Sequence, residues 1–164
     1  MEDATLGKIH HISLVRMLGY CAEGSHRLLV YEYMANSLQV DEASSQIPQT
    51  LCKWKTRLAI ALSISRGITY LHQQCQECII HCDVKPQNIL FDDNFHPKVS
   101  DFGLAKLMKR ESSANVTTAR DTRGYMAPEW ISMVAIAPKV DVYSFGMVLL
   151  GSGRDKFMFF PSHE

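Results

Sequence analysis

Net charge is missing from this sequence: 17 Lys and Arg stand against 17 Asp and Glu. That leaves neither a basic footprint for nucleic acid nor an acidic tail. Long apolar runs are missing too, since none approaches the ~18–20 residues needed to cross a bilayer. The opening Met1-Glu2-Asp3-Ala4-Thr5 lacks the basic-then-apolar pattern of a secretion signal. A cytosolic or similarly reducing surrounding is the expectation. A disulfide framework is absent as well, because Cys21, Cys52, Cys75, Cys78 and Cys82 are odd in number and scattered. There are no internal repeats. What is present, 46% hydrophobic and 21% charged residues in 164, is the composition of one soluble globular domain.

Residues 28–33, Leu-Leu-Val-Tyr-Glu-Tyr, are rich in branched and aromatic side chains and predict a buried strand, with Gly24-Ser25 turning between it and an earlier one. Residues 4–9 could close a helix. A polar stretch over 41–50, containing Pro48, is the nearest thing to a linker. Beyond it Trp54, Leu58, Ala61, Leu62, Ser65, Ile68 and Leu71 recur every three or four residues, which predicts a helix of roughly five turns. Short strands are expected at 79–81, 89–91 and 98–100, divided by turns at Lys85-Pro86 and Asp92-Asp93-Asn94. Residues 106–123 are polar and read as a loop. Pro138 opens a second helix over 140–150, apolar nearly all round and so expected to be buried, with Gly151-Ser152-Gly153 as its stop.

Chemistry concentrates between the two helices. Asp83 is followed by Lys85 and Asn88, and Asp101-Phe102-Gly103 comes one hairpin later. A strand–turn–strand path would return Asp101 to the neighbourhood of Asp83 and Asn88. Two carboxylates, an amide and an ammonium suit a Mg²⁺-phosphate site: oxygen ligands hold the hard cation, lysine offsets phosphate charge, and one carboxylate can orient a hydroxyl.

The run His81-Cys82-Asp83-Val84-Lys85-Pro86-Gln87-Asn88 resembles the catalytic loop of eukaryotic protein kinases. Asp101-Phe102-Gly103 resembles their metal-binding motif, and Ala127-Pro128-Glu129 the end of their activation segment. Lys85, two residues after Asp83, is similar to the serine/threonine class. The stretches His10-His11-Ile12-Ser13-Leu14-Val15-Arg16, Tyr125-Met126-Ala127-Pro128-Glu129-Trp130 and Asp141-Val142-Tyr143-Ser144-Phe145-Gly146 resemble plant receptor-like kinases of the lectin/S-domain branch.

That resemblance implies an α+β protein-kinase fold, present in part: the end of the small lobe and hinge over 1–36, the core of the helical large lobe over 37–150, and an irregular tail over 151–164. It implies transfer of the ATP γ-phosphate to protein Ser/Thr with Mg²⁺, in a parent kinase facing the cytosol from the plasma membrane. Asp83 would be the base that orients the hydroxyl, Lys85 would contact the transferring phosphate, and Asn88 and Asp101 would hold Mg²⁺. Tyr31 would be the gatekeeper, Glu32, Tyr33 and Met34 the hinge that receives adenine, and Leu90 part of the nucleotide pocket. Structural or regulatory roles would fall to Glu2, His81, Phe102, Gly103, Thr122, Glu129 and Asp141. Thr117 and Thr118 are candidate phosphorylation sites.

Departures from the family pattern shape the expectation. No Gly-rich phosphate loop and no strand lysine partner for Glu2 are present, and only about a dozen residues follow Leu150. The chain alone is therefore expected to be inactive; the rival reading is a non-catalytic, pseudokinase-like binding fragment that docks on full-length receptor-like kinases. Cys82 replaces an arginine that pairs with a loop phosphate, the non-RD pattern, so control through that pair is not expected. Asp121 stands where a glycine is usual, and Asn36-Ser37 lacks an intervening glycine. The run Phe157-Met158-Phe159-Phe160 would be an exposed apolar patch. His72, Cys75, Cys78 and His81 are a legitimate zinc donor set, but their spacing is unlike the usual one and His81 is explained by the kinase register.

Overall fold

A computed structural model describes residues 7, 9–24, 26–34, 36–37, 53–108, 124–131 and 137–150. Strands β1 (Met17–Glu23) and β2 (His26–Tyr31) form an antiparallel hairpin around Gly24, whose φ of 55° suits glycine. The register slips between Met17 and Gly19 at a bulge. Helix α1 (Trp54–Thr69) follows, then a π-helical turn, Tyr70–Gln74. Strand β4 (Cys78–Ile80) pairs with β7 (Lys106–Met108). Between them, β5 (Ile89–Phe91) and β6 (Pro97–Val99) form a hairpin joined on its other side by the two-residue strand β3 (Asn36–Ser37). Two short helices close the order: α2 (Pro128–Ile131) and α3 (Lys139–Leu150).

Helix α1 organises the core. Its buried face is Ile60, Ala61, Ile64, Gly67 and Ile68, continued by Leu71 in the π turn. Each large aliphatic residue on that face contributes about 1.5–3 kcal/mol by leaving water. They pack with Leu14, Ile79, Val84, Ile89, Phe91, Val99 and Phe102 in one cluster. Gly67 permits this approach: a Cβ there would lie 3.0 Å from both Leu14 Cδ2 and the Ser13 carbonyl oxygen. Residues 13–15 are also stitched to β6, with Val15 N–H donating to Val99 O and Val99 N–H to Ser13 O, both at 2.9 Å. A smaller cluster joins Ile80 and Cys82 to Ala127, Trp130 and Val140.

Several sequence expectations need correction. The strand within 28–33 exists, but Leu28, Leu29 and Val30 are exposed rather than buried, because among the described residues no layer covers the two-stranded hairpin. Of the apolar stripe predicted for α1, Trp54, Leu58 and Leu62 face outward. The helix instead turns its Ile60–Ile64–Ile68 face to residues 13–14 and β6. Helix α3 is buried along Val140, Asp141, Ser144 and Val148 only, with Val142 and Leu150 exposed. Residues 106–108 of the expected polar loop are strand β7. The helix expected over 4–9, the linker over 41–50, the rest of that loop and the tail lie outside the described residues, apart from Gly7 and Ile9.

Candidate active site

The loop after β4 begins with an improbable backbone. Cys82 has a φ of 70°, a left-handed conformation that costs a residue with a Cβ about 1–2 kcal/mol. Asp141, fully buried on α3, holds it there. One carboxylate oxygen accepts the Cys82 N–H at 2.8 Å; the other accepts the His81 N–H and the His72 Nε2–H, each at 2.8 Å. Hydrogen bonds to a buried charged acceptor are worth about 1.5–3 kcal/mol each, which outweighs the strain. The π turn presents His72 to this carboxylate. Burial, with the Asp141 charge behind it, pushes the Cys82 thiol far above the ordinary range, so it stays protonated.

His81 is fixed as one neutral tautomer. Its Nδ1 accepts the Asp83 N–H at 3.2 Å, so the proton sits on Nε2, which donates to the Ser100 carbonyl at 2.9 Å. Ser100 in turn donates its N–H and its hydroxyl to the Asn88 carbonyl, at 2.8 and 3.0 Å. These bonds bring the loop of Asp83 and Asn88 beside the residue that precedes Asp101. The 3₁₀ turn Pro86–Asn88 folds Asn88 back, and its Nδ2 donates to both the carbonyl and the Oδ2 of Asp83, at 2.9 and 2.8 Å. Lys85 Nζ reaches the same Oδ2 at 2.8 Å. With its Nδ2 so committed, the Asn88 amide turns its oxygen away from Asp83.

Asp101 is also left-handed, at φ 64° and ψ 73°, and caps the 3₁₀ turn Phe102–Leu104 through the Gly103 N–H, which donates to Oδ1 at 3.2 Å. A Cβ at Gly103 would press on that oxygen at 3.1 Å. Phe102 is buried between Tyr31 and His81, with ring centroids 6.5 and 5.1 Å away. The Tyr31 hydroxyl is buried without a hydrogen-bond partner among the described residues. Burial raises its pKa, the Phe102 amide offsets part of this without reaching hydrogen-bond geometry, and the Asp101 charge raises it further.

Glu32 follows Tyr31 and is held by three hydrogen bonds: its N–H donates to Arg16 O at 2.9 Å, while its Oε1 accepts the Arg16 N–H at 2.9 Å and Lys98 Nζ at 2.7 Å. Burial works to raise its pKa, but the Lys98 and Arg16 bonds prevail and hold the carboxyl below its ordinary value.

Asp83, Lys85, Asn88, His81, Asp141, Phe102 and Gly103 are thus joined with Asp101 in one bonded and packed network, and Glu32 with Tyr31 borders it. Leu90 sits half-buried in β5 opposite Lys98. Tyr33 is exposed and Met34 half-buried; neither has a hydrogen bond to the cluster among the described residues. Glu129 is half-buried on α2 and has no ion pair among the described residues. Glu2, Thr117, Thr118, Asp121 and Thr122 lie outside the described residues. Reading the sequence missed Ser100, Lys98 and His72 as positioning residues. A buried serine beside Asp101 was a usable signal for the first, whereas His72 was considered only as a zinc ligand. The structure occupies both histidines of that set otherwise, with Asp141 and Ser100.

Comparison with known proteins gives the family. The family description "Protein kinase domain" matches residues 1–164. A G-type lectin S-receptor-like serine/threonine-protein kinase of Arabidopsis thaliana is 60% identical over 150 residues, 91% of this chain and 17% of the relative. A second from the same plant is 54% identical over 98% of this chain and 21% of its own length. A rice kinase of the same description is 54% identical over 92% of this chain and 18% of its own. The chain thus spans about a fifth of the length of the curated relatives it matches. With a family match along its whole length and relatives this similar, the chain belongs to the protein kinase family, in the company of the plant receptor-like serine/threonine kinases.

Proposed function

We propose that this chain carries the phosphoryl-transfer loops of a receptor-like serine/threonine kinase. The observation that carries the reading is the convergence of Asp83, Lys85 and Asn88 through shared hydrogen bonds, tied by Ser100 to Asp101. The donor set fits Mg²⁺ with ATP: the Asn88 amide oxygen and the Asp101 carboxylate are hard oxygen ligands, and neither the Asn88 oxygen nor Asp101 Oδ2 has a protein donor among the described residues. Bound Mg²⁺ neutralises phosphate charge during transfer. Asp83, oriented by Lys85 and Asn88, accepts the proton of the attacking Ser or Thr hydroxyl. The Lys85 ammonium pairs with the transferring phosphoryl oxygens. Buried Phe102 and half-buried Tyr31 exclude water behind the metal loop and border the adenine pocket that Glu32, Tyr33, Met34 and Leu90 line. In this reading residues 1–36 belong to a small lobe and hinge and 37–150 to a large lobe, and the parent kinase presents this domain to the cytosol at the plasma membrane.

The 164 residues contain no Gly-x-Gly-x-x-Gly run, which supports a second reading for the polypeptide of these residues alone: a binding fragment with weak nucleotide affinity. Thermal melting with and without Mg²⁺-ATP decides between them, with Asp101→Ala as control. Ligand at a hundred times its dissociation constant stabilises by about 2.7 kcal/mol. A Mg²⁺-dependent rise in Tm that the variant loses supports the kinase site. A cooperative melt that nucleotide leaves unmoved supports the fragment.

A further inference from the structure

A groove of about 310 Å³ opens away from the catalytic loop, between α1, residues 11–13 and the β5–β6 turn. One wall is a single face of α1: Thr56, Ala59, Ile60, Ser63 and Arg66 recur every three or four residues, so the wall runs about 15 Å. Opposite stand Ile12, Phe95 and His96. Ile60 and Pro97 are buried in the floor, and the Ser13 and Ser63 hydroxyls satisfy each other at 2.9 Å. The floor is therefore apolar with its polar atoms already paired. Its rim is open, with Ile12 74% and Phe95 43% exposed beside exposed Arg66 and His96. Phe95 holds a left-handed backbone, φ 59°, braced by its N–H donating to the Asp92 carbonyl at 2.9 Å. A large aromatic side chain turned outward on such a backbone serves no core.

Charge narrows what the groove can hold. Among the described residues no carboxylate lines it, and the neighbouring Asp92 is paired with His96. Arg66 is exposed and has no ion pair among the described residues. His11 accepts the Ser13 N–H on Nδ1 at 3.1 Å, so its Nε2 is a donor; burial lowers its pKa, and it donates as the neutral ring. His96 is already paired with Asp92 at 3.3 Å. The Arg66 guanidinium and the His11 ring donor beside an apolar floor complement an anion with an aliphatic neighbour. At about 3.3 Å per extended residue, 15 Å accommodates four or five residues.

We propose that this groove docks an extended acidic–aliphatic peptide segment of a partner protein, one carboxylate pairing with Arg66 and an aliphatic side chain lying over Ile60 and Pro97 between Ile12 and Phe95. None of Asp83, Lys85, Asn88 or Asp101 lines the groove, so docking there leaves the phosphoryl site open.

The test is an amide chemical-shift titration of the full chain with the acetylated, amidated pentapeptide Glu-Leu-Glu-Ile-Glu and its amide counterpart Gln-Leu-Gln-Ile-Gln. The acidic peptide is expected to shift resonances over residues 56–66 and 95–97. Affinity should fall about tenfold for the amide peptide or for Arg66→Gln, the loss of one charge-assisted contact. Ile12→Thr should weaken binding severalfold, while Lys55→Gln, a lost cation on the same helix outside the groove, should leave it unchanged. Both Arg66 and Ile12 are exposed, so these variants keep the core intact. Absence of shifts, equal binding of the two peptides, or indifference to Arg66→Gln overturns the proposal. Concentration-dependent shifts of the same residues without peptide also overturn it, in favour of a second copy of the chain.

Discussion

The catalytic-loop region and the β1–β2 hairpin meet through the Lys98–Glu32 ion pair and the Tyr31–Phe102 ring contact, yet they are held by different forces. In the first, His81, Asp83, Asn88 and Asp141 are buried polar groups, all hydrogen-bonded, with Asp141, His81 and Asn88 reaching partners in distant elements and Asp83 held within its own loop. In the second, the backbone ladder carries the structure while Leu18, Tyr20, Leu28 and Val30 stand half or more exposed. An isolated two-stranded hairpin is only marginally stable in water. The lesson is that the polar site is the rigid part of this molecule and the more hydrophobic-looking sequence is the soft part.

Removing the buried carboxylate should break the rigid side. Asp141→Ala orphans the His81 and Cys82 N–H groups and releases a strained backbone; a loss of about 3–5 kcal/mol in denaturant unfolding is expected, with fast amide exchange over residues 81–83. Gly67→Ala should cost less. The added Cβ meets the Ser13 carbonyl, which cannot swing aside as Leu14 can, and improved helix propensity returns part of the penalty; a net loss of about 1 kcal/mol is expected.

At the boundary between the regions, the depressed pKa of Glu32 contributes stability that is complete above the unfolded glutamate value, near about 4.3, and is lost as pH falls through the lower folded value. Exposure and salt screen this pair, so Glu32→Gln should remove no more than about 0.5 kcal/mol of the difference between pH 6 and pH 3. The smallest effect belongs to the hairpin: Leu28→Thr should stay within about 0.5 kcal/mol of the parent. A drop well beyond that would mean the hairpin face is covered in solution and would erase the contrast.

What was legible in the sequence follows the same divide. Asp83, Lys85, Asn88 and Asp101 could be found because their spacing along the chain is itself the signal, and the turn at residues 92–94 announced the hairpin that returns the chain. Periodicity also located α1, and Pro138 with the apolar run after it located α3. It could not say which apolar face would be covered, because that depends on what packs there: Trp54, Leu58 and Leu62 are as hydrophobic as Ile60, Ile64 and Ile68, and only the glycine at 67 lets residues 13–14 choose the second set. His72 was illegible for a related reason. A π turn adds a residue to the helical repeat, and no 3.6-residue pattern anticipates where the histidine then points.

The bonds that assemble the site are long-range in sequence: His72 to Asp141 spans 69 positions, Glu32 to Lys98 spans 66, and His81 to Asp141 spans 60. Closing such loops costs chain entropy before any bond returns it, and folding slows as contacts become less local. The network around Asp141 should therefore appear late, after α1 and the local β-hairpins. On that order, refolding followed by pulsed hydrogen exchange is expected to protect residues 54–69 before residues 81–83, and the time taken to become a site, rather than the strength of the site once made, would then set the exposure to misfolding.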